Sequence, residues 1–286
     1  MKMKTIVIVF MLVFIVLVCL SALYSHTSAD AGATSSVHIA KYSADGSTVL
    51  AETTVDYRWM EENLPVHGDG ITHYYHQGPV FEGDMWDTEE MTNLKDKGAV
   101  KGTDIKDLCE LVGGMALGDE LMIAAVDGYH LKFAYENIYQ PDDRQGPVVL
   151  CWYKAEDPDY AIGHGYPGNN AYSDAMQIVF FSRTMNPEGK YVFGNSDMRA
   201  CLPDEKYQHF FEGLPSTNGL SGKWINEIYI YPVGVQLSLN PAQSTIEESA
   251  DSIAVTTVVL GCLGLVLIGV GGGIYLIHRR AINRAS

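Results

Sequence analysis

Residues 121–135, LMIAAVDGYHLKFAY, read as two short strands folded back on each other. Leu121 to Val126 is an apolar run. Asp127-Gly128 suits a tight hairpin turn, whose central positions take positive φ. Beyond it, Leu131, Phe133 and Tyr135 alternate with His130 and Lys132, the period of two that separates a buried face from a solvated one.

The rest of the chain repeats this theme. VHIAKY (37–42) and TVLAETTV (48–55) flank Asp45-Gly46 and predict another hairpin. PVVLCWY around Leu150 and MQIVFF around Val179 read as buried strands, and WINEIYIY (224–231) as a closing strand. Tyr57 to Leu64 predicts a turn or two of helix stopped by Pro65. Thr103 to Gly114 predicts a helix capped by Thr103, with Ile105, Leu108, Leu111 and Val112 on one face and Gly113 at its end. Asp204 to Gly213 predicts a further short helix carrying Tyr207, Phe210 and Phe211. Hairpins with few short helices, and no alternating strand–helix rhythm, define a mixed, mainly antiparallel α+β domain over residues 34–232.

The ends set the expected compartment. Lys2 and Lys4 precede an uncharged run from Thr5 to Tyr24 and then SHTSADAGA, the layout of a signal peptide or signal anchor over residues 1–33. Ile253 to Ile277 is uncharged for 25 residues and is followed by Arg279, Arg280 and Arg284. About 20 helical residues cross a bilayer, and basic residues stay on the cytoplasmic side. The expectation is therefore a single-pass protein of the cell membrane: an extracellular domain, a stalk over 233–252, a transmembrane helix over 253–277 and a cytoplasmic tail over 278–286.

The chain holds 19 Lys and Arg against 35 Asp and Glu, a net charge of −16. Five of the basic residues lie in the two ends and no acidic one does, so the intervening part carries 14 against 35, or −21. Such a charge excludes nucleic acid and anionic lipid surfaces as main partners. Cys109, Cys151 and Cys201 are too few for a disulfide framework, although one pair could close.

The order of segments resembles the molybdopterin-binding domain of the sulfite-oxidase family. Val100-Lys101-Gly102-Thr103, Leu108 and Gly113-Gly114 match its helix region; Asp127-Gly128-Tyr129 its hairpin; Val149-Leu150 a central strand; and Trp224-Ile225 the closing strand. The chain is also similar to single-pass surface proteins of methanogenic archaea. The family resemblance implies a pocket for a molybdopterin-type cofactor, with molybdenum held by a cysteine thiolate on the strand before the helix region. Here that strand is ITHYYHQGPVF (71–81), which contains no cysteine.

That strand supplies the first candidates, His73, His76 and Gln77, for a cofactor, with the two histidines also candidates for a metal. Imidazole is a common metal ligand, but an odd spacing on a strand sends two side chains to opposite faces, so joint chelation needs a bulge. Arg144 and Arg183 are loop guanidinium groups able to grip an anion, or to pair with nearby aspartates. His164 sits in a long Gly-, Pro- and Asn-rich loop. Three functions fit: an outward-facing module binding a small cofactor, metal or envelope partner without oxo-transfer; an exported oxidoreductase using a molybdopterin-type cofactor on a non-cysteine ligand; or an acidic structural protein of the envelope.

Overall fold

The computed structural model describes residues 34–155, 165–167 and 176–235. Two five-stranded sheets enclose the main core. The first has the order β2 (Val49–Asp56), β1 (Ser36–Tyr42), β12 (Ile225–Pro232), β5 (Asp119–Ala125), β6 (His130–Ala134). The second runs β8 (Gln177–Phe180), β7 (Val148–Lys154), β4 (Leu94–Asp104), β3 (His73–Gln77), β9 (Tyr191–Phe193). A small ribbon joins β10 (Phe210–Phe211) to β11 (Leu214–Pro215). Most pairings are antiparallel; β1 with β12 and β3 with β9 are parallel. The α+β class and the mainly antiparallel pairing expected from the sequence are those observed.

Alternation builds the core. Val37 and Ile39 of β1, Leu121 and Ile123 of β5, and Ile228 and Ile230 of β12 meet Leu150 and Trp152 of β7 and Ile178 and Phe180 of β8 in one buried cluster. The intervening residues of β7 and β8, Val149, Cys151 and Val179, pack on the other face with Val100 and Phe181. The β7 strand is therefore sandwiched, which explains why it reads as an unbroken apolar run. Each well-buried aliphatic or aromatic side chain here contributes about 1.5–3 kcal/mol relative to exposure.

Among the described residues four short helices lie between strands: α1 (Tyr57–Asn63), α2 (Ile105–Glu110), α3 (Tyr135–Tyr139) and α4 (Asn195–Cys201). Three expectations are corrected. The helix placed over Thr103 to Gly114 covers only Ile105–Glu110, because Thr103 and Asp104 belong to β4 and the Asp104 side chain, accepting from the Lys106 N–H, is the cap. Tyr135 opens α3 instead of continuing the strand, the Asn137 side chain accepting from the Ala134 N–H at 3.3 Å. The helix placed over Asp204 to Gly213 is a single 3-10 turn, Glu205–Tyr207, followed by β10. Only Tyr207 of its three aromatics is buried; Phe210 and Phe211 are exposed, so no apolar face holds a longer helix there.

The cysteines of the domain, Cys109, Cys151 and Cys201, are free thiols. The segments expected to be signal, stalk and membrane anchor lie outside the described residues, apart from the first residues after Pro232. Among the described residues no helix is long and apolar enough to cross a membrane.

Candidate functional site: a lysine-lined cleft

The first part of β4 is polar, Leu94-Lys95-Asp96-Lys97-Gly98, and it floors a cleft of about 960 Å³. That volume is in the range of small-molecule sites. Lys95 and Lys97, two apart on the strand, both line it. A third lysine arrives from the neighbouring strand: Lys154, at the end of β7, lays its side chain over Gly98. Gly98 has φ +84°, a conformation that favours glycine, and a Cβ there would stand 2.4 Å from Lys154 Cε and make that side chain shift. Lys223 lines the cleft from the opposite side.

Two acidic residues also line the cleft, Asp96 and Asp127, and both are turned to other work. Asp96 Oδ1 accepts from the Gly98 N–H at 2.7 Å, and its Oδ2 lies 2.8 Å from His73 Nδ1. Asp127 Oδ1 accepts from the Tyr129 N–H at 2.9 Å, shaping the hairpin turn. Among the described residues that line the cleft, four lysines stand beside two carboxylates, in a chain of net charge −16.

The far wall is the segment from Thr217 to Trp224. Lys97 Nζ donates to Asn218 Oδ1 at 2.6 Å. The Tyr129 hydroxyl donates to the Gly219 carbonyl. Ser221 Oγ donates to the Ile178 carbonyl at 2.6 Å and accepts from Gln177 Nε2 at 2.9 Å. Gly219 lies against the His209 ring, where a Cβ would be 2.0 Å from Nδ1. Burial holds the His209 pKa below its ordinary value, so this ring is neutral at physiological pH. Trp224 takes φ +55°, a conformation that a bulky side chain rarely adopts and that tends to occur at functional sites.

The residues singled out from the sequence fall in several places. His73 backs the cleft through its contact with Asp96. His76 is fully buried between Phe180 and Phe193, its Nε2 accepting from the Phe180 N–H at 3.1 Å. Burial and the nearby Lys97 charge push its pKa well down, so it is a neutral core histidine with its proton on Nδ1, which has no hydrogen-bond partner among the described residues. The β3–β4 register does shift beside His73, but the two rings have separate partners, and among the described residues no group of three or more His, Cys, Asp or Glu side chains could hold a metal ion.

Gln77 is a structural hub: its Nε2 donates to Asp87 Oδ2 at 2.6 Å and its Oε1 accepts from the Asn195 N–H at 2.8 Å. Arg144 forks onto Asp142 with two contacts of 3.1 Å, and Arg183 pairs with Asp143 at 3.1 Å. His164 lies outside the described residues. Sequence reasoning missed the four lysines, which come from separate segments; the Lys95-Asp96-Lys97 alternation on a strand was the one local signal.

The DGY turn and the closing Trp224, both part of the family resemblance, meet at this cleft. The cysteines do not: Cys109 and Cys151 are buried, and burial raises their pKa far above that of a reactive thiol. Compared with models of protein families and with curated proteins, the chain matches neither a family model nor a curated relative.

Proposed function

We propose that the domain is the outward-facing binding module of a single-pass membrane protein and that it takes a small anionic ligand in the lysine-lined cleft. The observation that carries this reading is the convergence of Lys95, Lys97, Lys154 and Lys223 in one concave site. Lys97 and Lys154 are 7% and 9% exposed, so their stems are packed into the walls of the cleft. The donor set fits the anionic part of a molybdopterin-type cofactor. It does not fit the metal part, since no thiol is among the described residues that line the cleft.

A second reading, an exported oxidoreductase holding such a cofactor through a non-cysteine ligand, is favoured by the placement of Asp127, Tyr129 and Trp224 around the cleft. One purification separates the two. The full-length chain, isolated in detergent, is assayed for molybdenum, tungsten and pterin fluorescence, then titrated with inorganic sulfate. Binding of sulfate that weakens at least tenfold in Lys97→Gln and in Lys154→Gln, about 1.4 kcal/mol each, supports the binding module. Stoichiometric molybdenum or tungsten overturns it in favour of the enzyme. If no anion shifts the melting temperature, the cleft is not a ligand site, because a ligand that binds the native state must stabilise it.

A further inference from the structure

The connection from β3 to β4 is pinned by a pair of buried carboxyl groups. Glu90 and Asp197 are each 8% exposed. The Asp197 N–H donates to Glu90 Oε1 at 3.2 Å, which brings the two buried carboxyl groups to one place. Two ionised carboxylates held together out of water repel, and a proton kept on one of them removes that repulsion. The seat is built for this contact. Glu90 adopts φ +54°, and a Cβ on Gly194, the cap of α4, would stand 2.1 Å from Glu90 Cδ.

The groups facing the pair come from three directions. Asp87 lies on the same connection, Arg144 approaches Asp197 to 4.0 Å with Asp142 beside it, and the Cys201 thiol is at the end of α4. With Arg144 next to Asp197, the charge belongs on Asp197 and the proton on Glu90.

This contact is continuous with the cleft wall. Gln77 holds Asp87 and Asn195; Asn195 Oδ1 accepts from the Thr217 N–H at 3.0 Å; Thr217 Oγ1 accepts from the Gln77 N–H at 2.8 Å. Asn218, the next residue, receives Lys97. The same segment, residues 84–93, carries Trp86, whose ring has Arg199 Cζ at 4.4 Å and Phe210 at 6.4 Å.

We infer that a proton held on Glu90 beside Asp197 latches residues 84–93 onto α4, and that its loss releases this segment and loosens the far wall of the cleft. The second half rests on the reading of the cleft as the ligand site. Burial, then the Asp197 charge, pushes the Glu90 pKa up, so the latch is closed at neutral pH and opens in mild alkali. Two carboxylates left together without the proton repel each other in a poorly solvated site.

The test follows Trp86 emission of the full-length chain from pH 6 to 10, with Trp86→Phe subtracted to remove the other three tryptophans. A transition is expected with a midpoint near about 8. It should vanish in Glu90→Gln and in Asp197→Asn, while Gly194→Ala should show the open signal at every pH. A transition that persists unchanged in both neutral variants overturns the latch. Hydrogen exchange of the wild-type amides of residues 84–93, corrected for intrinsic rate, needs no variant: loss of protection over the same range supports the latch, and constant protection overturns it. Sulfate, whose charge is constant over this range, reports the cleft. Its affinity should fall in step with release in the wild type and stay flat in Glu90→Gln. An affinity that ignores the transition overturns the coupling. Absence of sulfate binding at every pH removes the cleft half, while Trp86 still decides the latch.

Discussion

Gly98 shows how a single residue can control a site that it does not chemically serve. Its positive φ bends β4, its N–H turns Asp96 away from the lysines, and its missing Cβ leaves the track along which Lys154 reaches the cleft. Gly98→Ala is therefore expected to fold less stably by about 1 kcal/mol or more, from the strained φ and the displaced lysine stem. It should also weaken sulfate binding while Lys97 is untouched; calorimetric titration beside urea unfolding checks both effects. None of this was legible from residue identities. Lys154 reads as the end of an apolar strand, Lys223 as a surface residue before a tryptophan, and only pairing of β4 with β7 brings the first to Gly98. The histidines are a second case. His73 and His76 have separate partners, and the depth to which His76 is buried depends on Phe180 and Phe193, more than 100 residues away in sequence.

Elements with strong local signals were legible, and those made by tertiary pairing were not. The two Asp-Gly hairpins and β7 follow from turn chemistry and alternation. The 11-residue β4 does not: Lys95, Asp96 and Lys97 are poor strand formers, and Gly98 and Gly102 interrupt it. It exists because β3 and β7 supply hydrogen-bond partners on either side. The Asp204–Gly213 misreading has the opposite cause, since clustered aromatics suggested a helix where no buried face was available. At α1 local chemistry suffices. Asp56 ends β2 and its Oδ1 accepts from the Trp59 N–H at 2.8 Å, satisfying a helix N–H that would otherwise lack a partner. Asp56→Ala should cost about 1 kcal/mol of stability, measurable as a lower thermal midpoint, with Asp56→Asn losing less.

At the scale of the domain, the strongly acidic composition hides a cleft lined by four lysines, so a net-charge argument that excludes polyanionic nucleic acid says nothing about a small anion held in a hollow. A second electrostatic knot ties elements together. Glu120 of β5 accepts from the hydroxyls of Tyr207 at 3.0 Å and Tyr231 at 2.8 Å and pairs with Lys206 and Lys132. Burial alone would raise its pKa, but the hydrogen bonds from Tyr231, Lys206 and Tyr207 outweigh burial and lower it. A carboxyl whose folded pKa is depressed contributes stability above its ordinary pKa, and that contribution is lost as the pH falls through the folded value. Thermal unfolding of the wild type should therefore show an acid limb below about pH 4, and Glu120→Gln should melt lower at pH 7 with a shallower limb. The parallel pairing of β1 with β12 has a mechanical consequence. His38 to Lys41 run alongside Glu227 to Ile230 in the same direction, so the chain enters this sheet at one end and leaves at the other. Tension applied through residues 34 and 235 would pull the two strands past each other and load all their hydrogen bonds together, so the domain would resist as a shear joint where a hairpin pulled from its open end would peel.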